Sequence, residues 1–307
     1  MDSDNKKQII NEIEKWKKEN DFVILAHYYV DGDVQAIADY VGDSFYLAKI
    51  ATKVKQENIL FAGVSFMGES AKLLNPKKHV YMADNTADCP MAHMVDIDKI
   101  LEVKEKYDDV AVVCYVNSTA EIKSVSDVCV TSSNATKVVK NIKEKNIFFI
   151  PDNNLGRYTA KQVPEKNFIF HDGFCHVHKS IDRELVKQAK EVNPDALILA
   201  HPECTEDVLE LADYIGSTSQ IIDFATASDA KKFIICTEMG IFYELGQKNP
   251  DKKFYSVGHR QFCPNMKKIT LEKVLEVIKN PKDEVILSDE IMKTANKPLE
   301  MMLKLAE

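Results

Sequence analysis

The sequence has no Cys-x-x-Cys pair, although seven cysteines are spread over its 307 residues. That removes zinc ribbons, thioredoxin-like redox pairs and the dense cysteine runs of ferredoxins. It also has no G-x-G-x-x-G stretch, no P-loop and no low-complexity linker, so the usual glycine-rich nucleotide fingerprints are missing. No apolar run approaches the ~20 residues that cross a bilayer. Residues 1–19 are polar and charged, without the apolar core of a signal peptide, so a cytoplasmic location is expected. In a reducing compartment an odd cysteine count does not build a disulfide framework. Net charge is −8, with both signs interspersed, which argues against nucleic-acid and membrane partners but not against a small anionic substrate. What the chain does have is a 45 % hydrophobic content, enough for cored domains, two or three at this length.

It also repeats itself. Ala26-His27 returns as Ala200-His201, Ala38-Asp39-Tyr40 as Ala212-Asp213-Tyr214, Asn75-Pro76 as Asn249-Pro250, and Cys89 as Cys263, each at an offset of 174 residues. A middle copy lies 88 residues after the first, placing Tyr115, Asn117 and Ser132 opposite His27, Tyr29 and Ser44. It loses two residues before its own cysteine, Cys175. A period this long is a supersecondary unit rather than a short solenoid repeat.

Each unit opens on a short apolar run without alternation, at Phe22 to Ala26, Val110 to Cys114 and Ala196 to Ala200, which reads as a buried parallel strand. A helix follows, with Asp31, Ser118 and Thr205 as cap candidates and Ser118 with Glu121 as a capping box. A small-residue turn starts a second helix near Ser44, Ser133 and Thr218. Two further strands follow, then the cysteine and a last helix. The expected fold is α/β: three homologous three-layer αβα domains with small parallel sheets around a pseudo-threefold axis. The boundaries are 1–108, 109–194 and 195–282, and the tail 283–307, with a strand at Val285 to Leu287, packs on the first domain.

In parallel sheets the residues just past strand carboxyl ends line the ligand crevice. Those positions hold His27, Tyr29 and Ser44, then Tyr115, Asn117 and Ser132, then His201, Glu203 and Thr218. All nine are polar, where a purely structural repeat would keep apolar packing. Cys89, Cys175 and Cys263 occupy equivalent places, whereas Cys114, Cys129, Cys204 and Cys236 do not recur. Three thiolates suit zinc or an iron–sulfur cluster, and three core thiols would fit the spacing as well. Ser44, Ser132 and Thr218 read as helix caps that also form an anion site. His27 and His201 read either as general acids or bases or as structural residues, and Tyr29 and Glu203, sharing one slot, as proton carriers. His178, without a counterpart in the other copies, reads as a substrate contact or a support for one. His79, His93, His171, His176 and His259 stay undecided or structural.

Ala-His-Tyr-Tyr, Gly-Asp-Ser, Tyr-Val-Asn-Ser, His-Pro-Glu-Cys, Gly-Ser-Thr and three dispersed single cysteines together resemble the quinolinate synthases, from about Asp21 into the tail. The resemblance implies three αβα domains and a 4Fe–4S cluster on Cys89, Cys175 and Cys263 with one open iron acting as Lewis acid. It implies a transferase that condenses iminoaspartate with dihydroxyacetone phosphate to quinolinate, with loss of phosphate and two waters, for NAD biosynthesis. His27, Tyr29, His201 and Glu203 would be catalytic. His27, Ser44, Tyr115, Asn117, Ser132, His178, His201, Glu203 and Thr218 would bind substrate. Aspartate oxidase would supply the imine, by transient contact or by release nearby. Some members carry extra cysteines after the third cluster cysteine; here the run is Cys263-Pro264-Asn265-Met266, so a disulfide switch at that place is not expected. The rival readings are another trimodular three-cysteine cluster enzyme of the diphthamide type, a non-catalytic metal- or ligand-binding module, and a zinc hydrolase.

Overall fold

The opening apolar run of each unit becomes an inner strand of a small sheet in the computed structural model, which describes residues 3–258 and 260–306. The first sheet contains β1 (Phe22–His27), β2 (Tyr40–Gly42), β3 (Asn58–Ala62) and β4 (His79–Met82). The second contains β5 (Val110–Tyr115), β6 (Val128–Val130), β7 (Asn146–Ile150) and β8 (Asn167–Phe170). The third contains β9 (Leu197–Ala200), β10 (Tyr214–Ile215), β11 (Lys232–Cys236) and β12 (Lys253–Ser256). Spatial order is the same in all three, with the second strand at one edge, then the first, third and fourth, and every pairing is parallel. These are three αβα units of the α/β class. The third sheet shows why the runs lack alternation. Phe233 and Ile235 face one buried cluster while Ile234 and Cys236 face another, so both faces are covered.

Three strands per unit were expected, and there are four. The extra edge strands β2, β6 and β10 are two or three residues long, too short to show a period. A recurring aspartate fixes each one. Asp39, Asp127 and Asp213 accept the backbone N–H of Ile24, Val112 and Ile198 at 2.8, 2.7 and 2.8 Å, and return their own N–H to the same residues' carbonyls. A recurring lysine closes the end of each second helix. Lys78, Lys166 and Lys252 donate to the carbonyls of Val54, Ile142 and Ser228, which occupy equivalent places.

Several local expectations are corrected. Thr119, not Ser118, caps the helix Ala120–Ser124, because the chain turns one residue later, so no Ser118–Glu121 box forms. The second helices span Ser44–Ala51, Ala135–Asn141 and Thr218–Ala227. Their caps fall before Ser44 and Thr218, on Asp43 and Ser217, and Ser132 lies in a turn ahead of its helix. The tail forms no strand at Val285 to Leu287. It makes one antiparallel bridge, Tyr81 to Glu284, with Val285 N–H donating to the Val80 carbonyl at 2.8 Å, and Ile286 stays exposed. The helix Asp289–Leu305 then packs along Ser65–Leu74 of the first unit and Ala120–Ser124 and β6 of the second.

Two of the closing helices cross to a neighbour. Arg183–Val192, which ends the second unit, lies on β11 of the third. Leu271–Lys279, which ends the third, lies on β3 of the first, and the N-terminal helix Ser3–Glu19 packs beside it and on β1. Residues at the strand carboxyl ends of all three sheets meet at one place.

Candidate functional site

His27 is the last residue of β1, Tyr115 the last of β5, and His201 follows β9 directly. All three open onto one cavity of about 70 Å³, and so do Tyr29, Ser44, Asn117, Ser132, His178, Glu203, Thr218, Cys89, Cys175 and Cys263. Every site residue singled out from the sequence therefore lines a single space, with contributions from all three units. Exposed His176 joins the rim. The other named histidines lie elsewhere: His79 pairs with Glu284, His93 with Asp88, and His171 with the Met94 carbonyl. His259 lies outside the described residues.

The seven cysteines divide into two groups. Cys114, Cys129, Cys204 and Cys236 are fully buried in sheet cores. Cys89, Cys175 and Cys263 are partly exposed to the cavity, and each stands just before a single helical turn. Backbone N–H groups of those turns point at the sulfurs: Met91 and Ala92 at Cys89, His178 at Cys175, Asn265 and Met266 at Cys263. Each cysteine's own N–H is held by a carboxylate: Asp88 at 2.8 Å, Asp152 at 3.0 Å and Glu238 at 3.0 Å. Asp152 and Glu238 occupy equivalent places at the ends of β7 and β11. The first copy has Val64 there, and adjacent Asp88 takes over the bond. Sequence reasoning missed these carboxylates because three different residue types share the slot; register with the repeat was the available signal.

Burial pushes the Cys89 thiol up to about 12 and raises Cys175 and Cys263 too. A positive centre would be needed to hold them as thiolates. N–H groups aimed at sulfur are what a ligating thiolate accepts from its surroundings. A single zinc ion with Zn–S near ~2.3 Å would draw its tetrahedral ligands to within about 4 Å of one another. Among the described residues, the set of donor atoms lying within 4.8 Å of one another is Cys175, His178 and Glu203, not the three thiols. The three thiols are thus not gathered as the ligands of a single zinc ion would be, and a set of three cysteines opening onto one cavity is a donor set that suits an iron–sulfur cluster.

Tyr29 N–H donates to His27 Nδ1 at 3.2 Å, so the proton of the neutral His27 ring sits on Nε2. His201 Nδ1 meets both the Glu203 N–H at 3.3 Å and the Glu203 carboxylate at 3.1 Å. Burial, the dominant cause, drives both rings down to about 3, so they are neutral at working pH. His178 is likewise driven down to about 3 by burial, opposed by Glu203, and stacks on His201 with ring centres 4.5 Å apart. Glu203, flanked by His201 and His178 at 3.1 and 3.2 Å, is raised by burial against the pull of His178 and Tyr115. Its Oε1 and the Asn117 Oδ1 are buried without a partner. Two unmatched acceptors lining one cavity call for a ligand that donates to them.

The expected threefold anion site is only partly built. Asp43 caps one helix through Tyr46 N–H and also accepts the Ser217 hydroxyl at 3.3 Å, so a negative charge already occupies one of the three positions. Ser44 and Thr218 stand in the first turn beside these caps.

Comparison with known proteins agrees with this geometry. The family described as Quinolinate synthetase A protein matches residues 11–304. A quinolinate synthase of Fusobacterium nucleatum is 58 % identical over 294 residues, 96 % of this chain and 98 % of that protein. Those of Clostridioides difficile and Aquifex aeolicus are 49 % and 44 % identical, each over 98 % of this chain and over 99 % and 95 % of their own lengths.

Proposed function

The chain belongs to the quinolinate synthetase A family, and from that premise we propose that it condenses iminoaspartate with dihydroxyacetone phosphate to quinolinate in the cytoplasm, releasing phosphate and two waters. The observation that carries this is the meeting, in one cavity, of the three recurring cysteines and the nine polar strand-end residues from three separate units. Cys89, Cys175 and Cys263 would hold a 4Fe–4S cluster, which supplies Lewis acidity at an iron without a protein ligand.

The rest falls to side chains. His27 presents an Nε2–H group to the cavity, and His201 stands at the equivalent place with Nδ1 beside the Glu203 carboxylate. Neutral and buried, both bind substrate carbonyl or carboxylate oxygens by hydrogen bonding rather than as acids that lose a proton. Glu203, with its raised carboxyl, takes and returns a proton during enamine formation and dehydration. Its neighbours Tyr29 and Tyr115, both raised by burial, remain phenols that donate. Asn117, Ser132, Ser44 and Thr218 ring the cavity as partners for carboxylates and phosphate. Bringing two small substrates together within buried walls supplies the orientation that a carbon–carbon bond requires.

The test is anaerobic purification, iron and sulfide counts, and an assay for pyridine-2,3-dicarboxylate. Iron and sulfide in equal number with product formed is the expected result; full activity without iron would end the proposal. A zinc site at Cys175, His178 and Glu203 is the second reading, favoured by the closeness of those atoms. It predicts a colourless zinc protein with no sulfide.

A further inference from the structure

Behind the cavity wall, in the core of the second unit, lies a group of side chains that the chemistry above does not use. Cys114 on β5 and Cys129 on β6 are register partners in a parallel pair, so their side chains leave the same face of the sheet side by side. Adjacent strands lie about 4.8 Å apart, inside the Cα separation of about 4.4–6.8 Å that a disulfide spans. The fold does not demand sulfur here: the same register pairs in the other units are Ala26 with Val41 and Ala200 with Ile215. Lys123 is fully buried, with its Nζ on the Ser118 carbonyl and 5.6 Å from the centre of the Phe66 ring, close enough to act on both thiols. Its counterparts are Gln35, which bonds the equivalent Val30 carbonyl at 2.9 Å, and Leu209, so the backbone needs no positive charge at this place. Among the described residues Lys123 forms no ion pair with a carboxylate, and a buried ammonium calls for negative charge from some other group. The Ser118 hydroxyl, also fully buried, has no hydrogen-bond partner and faces Cys114. Burial pushes the Cys114 thiol up, but the Cys129 thiol, Lys123 and the Ser118 and Ser126 hydroxyls outweigh it and bring Cys114 below the usual thiol range. Burial holds Cys129 well above that range. One thiol of the pair ionises readily and its neighbour keeps its proton, the division between an attacking and a resolving cysteine.

We propose that Cys114 and Cys129 are a peroxide-reactive thiol pair that closes to a reversible disulfide at the strand end presenting Tyr115 and Asn117 to the cavity. The oxidant is a small hydroperoxide. The Cys114 sulfur, having shed its proton, attacks one peroxide oxygen; the O–O bond breaks, and the departing hydroxide takes up that proton as water. The Cys129 sulfur then attacks the sulfenic acid so formed. The S–S bond forms, the S–O bond breaks, and the oxygen leaves with the Cys129 proton as a second water. The two thiols together lose two electrons and the peroxide gains two. Hydrogen peroxide is close to water in size, and β6 is a three-residue edge strand, a place where local opening comes early. A dithiol reductant reverses the bond by exchange.

The test reads sulfur rather than turnover, so its outcome stands apart from that of the condensation reading. Anaerobically purified full-length protein is treated with hydrogen peroxide and the remaining thiols are alkylated. A glutamate-specific protease then cuts after Glu105, Glu121 and Glu144, which puts Cys114 and Cys129 on separate peptides. Mass spectrometry should find these two peptides joined, and parted again by a dithiol. Cys204 and Cys236, both pushed up by burial in the third unit, should stay free thiols. Lys123→Gln, which copies Gln35, should slow the linkage about 10-fold. If that variant folds poorly, Cys129→Val, which copies Val41, gives a second readout: Cys114 should stop at the sulfenic acid and be labelled by a 1,3-diketone. Four outcomes would each overturn the proposal: peptides that stay separate while other cysteines oxidise, linkage as fast in Lys123→Gln as in the parent, equal linkage of Cys204 with Cys236, or an unlabelled Cys114 in Cys129→Val.

Discussion

The two ends of the three sheets follow different rules. At the amino ends the units agree residue for residue. Asp39, Asp127 and Asp213 make the same bond to an inner strand, and Lys78, Lys166 and Lys252 close the same helix end. At the carboxyl ends the same slots hold His, Tyr and His, then Tyr, Asn and Glu. Threefold likeness is kept where the backbone must be satisfied and given up where side chains meet the cavity. Conformity at one end marks stability, and divergence at the other marks chemistry.

Four measurements can break or sharpen this contrast. The largest effect is expected at the cavity: Cys175→Ala should lose iron and turnover together, whereas Cys114→Ala, buried opposite Cys129 in the second sheet, should leave both largely intact. Iron counts on the two proteins decide it, and equal losses would dissolve the division of cysteines. Acid sensitivity comes next. His27 is held near 3 in the folded chain but titrates near ~6.5 when unfolded, so the unfolded state binds the extra proton between those values. Stability from this group is present above pH ~6.5 and is lost as pH falls towards 3. Denaturant titrations should show the stability lost between pH 6.5 and 5 shrinking by about 2 kcal/mol in His27→Asn, a slope set by 1.4 kcal/mol per pH unit. An unchanged pH profile would show that His27 is not buried as a neutral ring.

Asp152→Asn tests the carboxylate beneath a cysteine. The protein should still take up its cluster but release iron to a chelator about 10-fold faster, the usual cost of removing support behind a metal ligand. Release at the parent rate would leave the Asp152 bond without a role. The smallest effect belongs to the amino end. Asp127→Ala should lower stability by about 1 kcal/mol, the worth of one partly exposed hydrogen bond, with turnover per folded molecule unchanged. A large loss of turnover there would erase the distinction between the two ends.

Much of this was readable in the sequence because the chain is its own alignment. The offsets of 174 and 88 residues placed the units and sorted the cysteines. The nine slots at strand ends followed from parallel-sheet geometry alone. What escaped notice did so for physical reasons. The edge strands are two or three residues long, held by an aspartate outside the strand rather than by a hydrophobic pattern. Caps fell one residue from the expected positions, at Asp43, Thr119 and Ser217, because several small polar residues in a row offer the same chemistry and only the backbone selects among them.

The helices that cross between units carry a further consequence. Leu271–Lys279 covers a sheet some two hundred residues away in the chain, and Arg183–Val192 covers the sheet that follows its own unit. Cut into separate thirds, the chain would yield pieces in which a sheet stands bare and a helix has nothing beneath it. The protein should therefore melt in one cooperative step, not as three beads on a string, and the cavity at the centre would come apart only with the whole.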